Sequence, residues 1–116
     1  MKVVHVGGDG AESVLASDAE AADSLLAQGR GLMFRRSIPD DYGLVFRFGR
    51  PTTRSLHMLF VPFPIDAVWL LDGEVTAVKR LRPWLGHGRA RGDTVVELPA
   101  GAAVGVEPGD VVRIEE

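Results

Sequence analysis

Leu56–Arg80 reads LHMLFVPFPIDAVWLLDGEVTAVKR, and its interpretation decides the fold. Ile65 to Leu71 is almost wholly apolar, which predicts a central strand covered on both faces. Asp72-Gly73 follows at once, the pairing that matches a type I′ hairpin turn. Glu74 to Arg80 then pairs back. Upstream, Pro62 and Pro64 cannot donate to a ladder, so a strand over Thr53–Phe60 must end or bulge before them. The stretch therefore predicts a hairpin at the centre of a sheet.

The flanking sequence supplies more short strands. Met1–Val6 and Ala11–Ala16 read as a hairpin about Gly7-Gly8-Asp9-Gly10, where glycine reaches positive φ at little cost. Ser17 with Glu20 three residues on is a capping box, and Ala19, Ala22, Leu25 and Leu26 fall at helical spacing. Gly29 is a helix stop. One α-helix is therefore expected over about residues 18–28. Gly43–Phe48 alternates as a half-buried strand, and Gly49-Arg50-Pro51 is expected to turn the chain. Leu81–Gly92, rich in Gly, Arg and Pro, is expected to be a loop. Thr94–Leu98 reads as a strand with Glu97 opposite Val96 and Leu98. Ala102–Val104 can form a helical turn, and Val111–Ile114 closes the chain. About seven or eight short strands with one helix predict a mainly β fold, a compact β-sandwich or small barrel.

The chain has 116 residues, 46% hydrophobic and 25% charged, which fits one globular domain over residues 1–116. It has no cysteine, which excludes disulfides and thiolate metal sites. The N-terminus lacks the apolar core of a signal peptide. Two prolines and Asp66 interrupt the longest apolar run, so no membrane span and no membrane partner are expected. The expected location is the cytoplasm. Charge is unevenly spread: residues 1–29 carry one base and five acids, residues 30–91 eleven bases and five acids, and residues 92–116 one base and six acids. A basic middle can attract anions, or its arginines can sit on solvated strand faces paired with the acidic ends.

Arg30-Gly31-Leu32-Met33-Phe34-Arg35, then Pro39 and Gly43-Leu44-Val45-Phe46, resemble the uncharacterised family called domain of unknown function 192. The resemblance continues through Met58, Pro64-Ile65-Asp66, Asp72-Gly73-Glu74-Val75, Pro83, Glu97-Leu98-Pro99-Ala100-Gly101 and Gly109-Asp110. It spans roughly residues 18–115 and implies a jelly-roll-like β fold, but no reaction. One segment departs. Where the family often has W-M-K-N-T, this chain has His57-Met58-Leu59-Phe60-Val61, so three polar positions are apolar here.

Several residues carry candidate chemistry. Asp66, set among hydrophobics, can serve acid–base work if His57 approaches it; the structural alternative is a carboxylate taking backbone amides or an arginine. Arg30 and Arg35 flank GLMF and can fork an anion, or pair with Asp40, Asp41 or Glu97. Trp84, beside Arg80 and Arg82, can stack on a sugar or base, or cover a sheet edge. Met33 and Met58 read as core fillers. His5, His57 and His87 show no ligand spacing, so no metal and no cofactor are expected. No nucleophile motif, phosphate loop or dinucleotide fingerprint occurs.

These residues favour a binding or interaction module for a small anionic or sugar-like ligand, held by Arg30, Arg35, Arg80 and Trp84. A hydrolase-like enzyme using a His57/Asp66 pair is the alternative. Weak nucleic-acid binding through the basic middle is a third reading, disfavoured by net acidity. The sequence leaves the activity, the ligand, the oligomeric state and the strand order open.

Overall fold

The computed structural model describes residues 1–22 and 31–116 of the chain. Eight strands form its framework: β1 (Lys2–Val6), β2 (Glu12–Ala16), β3 (Asp18–Ala21), β4 (Tyr42–His57), β5 (Ile65–Leu71), β6 (Glu74–Leu81), β7 (His87–Pro99) and β8 (Val111–Glu115). They belong to one sheet in the order β2-β1-β8-β6-β5-β7-β4-β3. β2 and β3 stand at its opposite ends, yet only Ser17 separates them in sequence. The sheet must therefore roll until its ends meet. At the seam the Ala19 amide donates to the Met1 carbonyl at 2.9 Å. The mainly β expectation holds, as one rolled sheet rather than two separate layers.

The central hairpin is as the sequence predicts. β5 pairs with β6 on one side and β7 on the other, both antiparallel. Asp72 and Gly73 have φ of 50° and 80°, the left-handed pair that a type I′ turn requires. Alternate β5 side chains feed two different cores. Val68 and Leu70 join Val3, Val45, Val96 and Leu98 inside the roll. Ile65, Ala67 and Trp69 join Leu32, Leu44, Phe46, Met58 and Val95 on the other face, beneath the connections before β4 and β5. Trp69 is fully buried, and its indole N–H donates to the Arg54 carbonyl at 2.9 Å, so the ring leaves no orphan donor.

Three expectations are corrected. Asp18–Ala21 is not the start of a helix but strand β3, parallel to β4. The remainder of the expected helix, from residue 23, lies outside the described residues, and no helix occurs among those described. Ala19 and Ala22 suit a helical stripe, but the alternation of exposed Asp18 and Glu20 with buried Ala19 suits a strand equally. The seam supplies backbone partners that a short isolated helix lacks, so tertiary pairing overrides the capping signal.

Gly49-Arg50-Pro51 does not turn the chain. β4 continues through it, with residues 48–51 bulging opposite Asp93 alone. Leu81–Gly92 is not all loop either, because β7 begins at His87 and pairs with the second half of β4 down to His57↔His87.

Gly92 lies where β7 passes close to the backbone of β5. A Cβ there would lie 2.7 Å from the Leu70 carbonyl oxygen, which is backbone in a central strand. Gly92→Ala is expected to cost about 1–3 kcal/mol through overpacking, read as a lower urea midpoint at unchanged slope. Among the described residues no helix is long and apolar enough to cross a membrane.

A candidate ligand pocket around Glu97

β7 carries Val95, Val96, Glu97 and Leu98 in succession, all buried. Val96 and Leu98 face the interior of the roll. Val95 faces the second core, and strand alternation sends Glu97 the same way. Register places Glu97 opposite Leu44, and Val95 opposite Phe46. A carboxyl thus occupies a position where its neighbours are apolar.

Over it lies a pocket of about 300 Å³, formed by the Gly31–Met33 segment, both halves of β4 and the Val95–Glu97 part of β7. Phe46, Phe48 and Leu56 supply apolar wall; Thr53, Arg54, Ser55 and His57 supply polar groups. The bulge in β4 makes this concavity possible, since the extra residues let its two halves diverge.

Glu97 is 6% exposed, and its Oε1 has no hydrogen-bond partner among the described residues. Burial pushes its pKa up to about 7, against the opposing pull of the Arg35 charge. Gly31, at φ 51°, lies directly against it: a Cβ at Gly31 would stand 3.4 Å from Oε1 and 3.5 Å from the Phe46 ring. Arg54 holds a second buried unpartnered atom, Nε. Its guanidinium lies 4.0 Å over the Phe48 ring, and one terminal nitrogen donates to the Arg50 carbonyl at 2.9 Å. At the end of β4, His57 Nδ1 accepts the Leu59 amide at 3.2 Å. In the neutral ring this leaves the N–H on Nε2. The pocket therefore offers a carboxyl that exchanges its proton near neutral pH, a guanidinium with spare capacity and an imidazole.

The residues that stand out in the sequence do not all converge here. His57 lines the pocket, while Asp66 belongs to the opposite face of the sheet, in phase with Val68 and Leu70. His57 pairs with His87 and Asp66 with Leu98, eleven residues apart along β7, a contour of roughly 35 Å at about 3.3 Å per residue. The expected His57/Asp66 pair is therefore not formed. Asp66 instead takes the Arg80 guanidinium on one oxygen and the Gly101 and Ala103 amides, at 2.9 and 3.0 Å, on the other. Its amides come from the turn after β7, not from the neighbourhood of the two prolines. Arg80 is committed to this contact.

Arg35 acts on Glu97 through its charge, lies 3.9 Å from the Glu20 carboxylate and stacks 5.0 Å over the Tyr42 ring. Tyr42 donates to Glu20 at 2.9 Å, and burial followed by that bond raises its pKa to about 12. Arg30 lies outside the described residues. Trp84 is half exposed, edge-on to Phe60, and outside the pocket. Several arginines of the basic middle and tail serve surface ion pairs, as in Arg47–Glu116 and Arg113–Glu12. Among the described residues no three His, Asp or Glu side chains are grouped to hold a metal ion.

Arg54 does not stand out in the sequence, and among the candidate residues Glu97 enters there only as a partner for Arg30 or Arg35. One signal does mark Glu97. Thr94–Leu98 is apolar at both parities, Val95 as well as Val96 and Leu98, which denotes a strand covered on both faces. An acid within such a run is buried whichever way it points.

No curated protein matches the chain. Two solved structures are similar over almost its whole length. One, from Sinorhizobium meliloti 1021, is described as a candidate transcription regulator; it is 26% identical, with a TM-score of 0.84 over 97% of this chain and 91% of its own. The other, a protein of unknown function from Novosphingobium aromaticivorans DSM 12444, is also 26% identical, with a TM-score of 0.84 over 98% of this chain and 84% of its own. The model of the family DUF192, described as Uncharacterized ACR, matches residues 5–114. That span runs from within β1 to within β8, and the chain belongs to this family, domain of unknown function 192.

Proposed function

We propose that the protein is a binding module whose pocket takes a small sugar-like ligand bearing an anionic group. The observation that carries this reading is the buried Glu97 carboxyl, with one oxygen unpartnered, at the base of an open concavity. A buried polar atom without a partner is costly, and natural proteins keep few of them. A ligand hydroxyl that donates to Glu97 removes that cost. Arg54 Nε, also unpartnered, suits a carboxylate or phosphate oxygen, and His57 stands on the same wall. Thr53 and Ser55 add hydroxyl partners, and the Phe46 and Phe48 rings match the apolar face of a pyranose. A volume of about 300 Å³ lies at the small end of ligand sites, which fits a monosaccharide rather than a nucleotide.

Calorimetric titration with glucuronate, glucose 6-phosphate and glucose tests this. Binding of one or both anionic sugars, with glucose weaker, is expected. Arg54→Lys keeps the charge but removes the planar fork, and is expected to weaken binding about tenfold, in keeping with the loss of one charge-assisted hydrogen bond. Equal affinity for glucose and the anionic sugars, or indifference to Arg54→Lys, rejects the assignment. Absence of any binding by all three at millimolar concentration rejects it as well.

A further inference from the structure

The most unusual backbone among the described residues lies beside this pocket. Apart from Asp72 in its hairpin turn, the described non-glycine residues with positive φ are Phe34, Phe60 and Trp84, at 69°, 63° and 63°. A left-handed conformation costs a non-glycine residue roughly 1–2 kcal/mol. Three bulky aromatics adopting it in one cluster is not an accident of loop geometry. Such strain persists only where surrounding contacts impose it, and it concentrates at functional sites.

Backbone hydrogen bonds impose it here. The Phe34 amide donates to the Phe60 carbonyl at 2.8 Å, and the Trp84 amide to the Val61 carbonyl at 3.1 Å. The Met58 amide donates to the Gly86 carbonyl at 2.9 Å. Three separate connections, around residues 34, 60 and 84, are thereby fastened into one platform. Gly86 permits the tightest approach: a Cβ there would stand 2.7 Å from both the amide nitrogen and the carbonyl oxygen of Arg82.

The fastening does not bury the rings. Phe34 is 64% exposed, Phe60 41% and Trp84 50%, with Leu59 and Leu85 exposed beside them. Phe34 and Phe60 stack at 4.9 Å, and Trp84 meets Phe60 edge-on at 6.1 Å. The charged side chains within the three segments that form it are arginines, Arg35, Arg36 and Arg82, of which Arg35 alone meets an acid, Glu20 at 3.9 Å. Arg36 and Arg82 are exposed and form no ion pair among the described residues, and residues 32–36, 58–63 and 82–87 contain no acid.

We propose that this aromatic platform docks a segment of a partner protein in which apolar side chains are flanked by aspartates or glutamates. Rigid aromatic anchors within a charged rim are the usual anatomy of an interface hot spot. A fixed ring arrangement, held at a backbone cost, serves a partner of definite shape; a fluid bilayer needs no such arrangement. Bases need free ring faces, whereas Phe34 and Phe60 occupy one face of each other and the patch continues into leucines. A second copy packed face to face would oppose Arg36 and Arg82 to their own kind, which like-charge contact disfavours. Acidic flanks complement the arginines.

Selection from a random dodecapeptide display library against the full chain tests this. Enriched peptides are expected to carry aromatic or aliphatic residues between acids. Trp69 is buried, so a blue shift in emission on adding a synthesised peptide reports burial of Trp84. Affinity is expected to fall at least tenfold in Phe60→Ser and to fall with added salt. Phe34→Gly and Trp84→Gly remove a ring and its strained φ together, so their Tm is expected to stay level or rise while peptide binding is lost. Failure of any peptide to enrich, enrichment of peptides without acids, or unchanged affinity in Phe60→Ser overturns the proposal. A Tm loss of several degrees in both glycine variants overturns it too, by making the rings structural. So does a Trp84 shift with phosphatidylserine vesicles and none with peptides, which makes the patch a lipid contact.

Discussion

Asp66→Ala is expected to lower the unfolding free energy by about 2–4 kcal/mol, a large part of the 5–15 kcal/mol typical of a domain. Asp66 is 4% exposed and serves three donors at once. Two of them, the Gly101 and Ala103 amides, belong to the turn that carries the chain away from β7. Truncation strands both amides: the buried Ala103 donor costs about 1–3 kcal/mol, and that of Gly101, on an exposed residue that water can reach, costs less. It also frees Arg80, whose exposed side chain water can solvate, so that contact adds little. Asp66→Asn keeps the shape but turns one acceptor atom into a donor, so it is expected to fall between wild type and alanine. Urea denaturation measures all three. A loss below about 1 kcal/mol for alanine contradicts the account, since one orphan amide alone should cost that much. Because Asp66 and the pocket lie on opposite faces of the sheet, folded Asp66→Asn protein is expected to keep its ligand affinity. A catalytic Asp66 would not permit that.

The second large effect concerns pH. Burial raises the Glu97 pKa from 4.5 to about 7 on folding. Below pH 4.5 the group is protonated in both states and imposes no penalty. Between 4.5 and 7 the unfolded chain releases its proton and the folded protein keeps it, so stability falls as pH rises. Above 7 both states are ionised and the penalty is constant. At 1.36 kcal/mol per pH unit the total loss is about 3 kcal/mol. Asp110 acts in the other direction. The hydrogen bond from His5 and the Glu107 amide lower its pKa, so its contribution is lost only at acid pH. The difference between wild type and Glu97→Gln isolates Glu97. Wild type is expected to lose about 3 kcal/mol relative to the variant between pH 4.5 and 8. A difference that stays flat over that range shows that Glu97 is solvated or paired in the native protein. A ligand hydroxyl or carboxyl bound against Glu97 is sensitive to the same proton, so affinity is expected to change between pH 6 and 8 in wild type and not in the variant.

The framework was legible in the sequence wherever local chemistry and tertiary demand agree. Ile65–Leu71 had to be central because a run apolar at both parities from Ala67 to Leu71 cannot present one face to water. Asp72-Gly73 had to be a tight turn because few other pairs accept positive φ twice. Where a segment satisfies two periodicities the sequence is silent: Asp18–Ala21 supports a helix cap and an alternating strand alike, and the seam against Met1 chose the strand. The bulge at residues 48–51 was hidden for a related reason. Gly-Arg-Pro ends a strand or bulges it equally well, and only pairing with β7 on both sides makes it a bulge.

What the sequence determined by itself is the β class, the central hairpin, the family and the structural role open to Asp66. What only the tertiary structure decided is which side chains meet. Strand order puts His57 and Asp66 on different faces, commits Arg80 to Asp66, buries Glu97 under Gly31 and gathers Phe34, Phe60 and Trp84 at one patch. The physical reason is that periodicity and turn chemistry act over a few neighbouring residues. The burial that shifts a carboxyl, and the backbone pairing that holds three rings at positive φ, come from strands and loops distant in sequence.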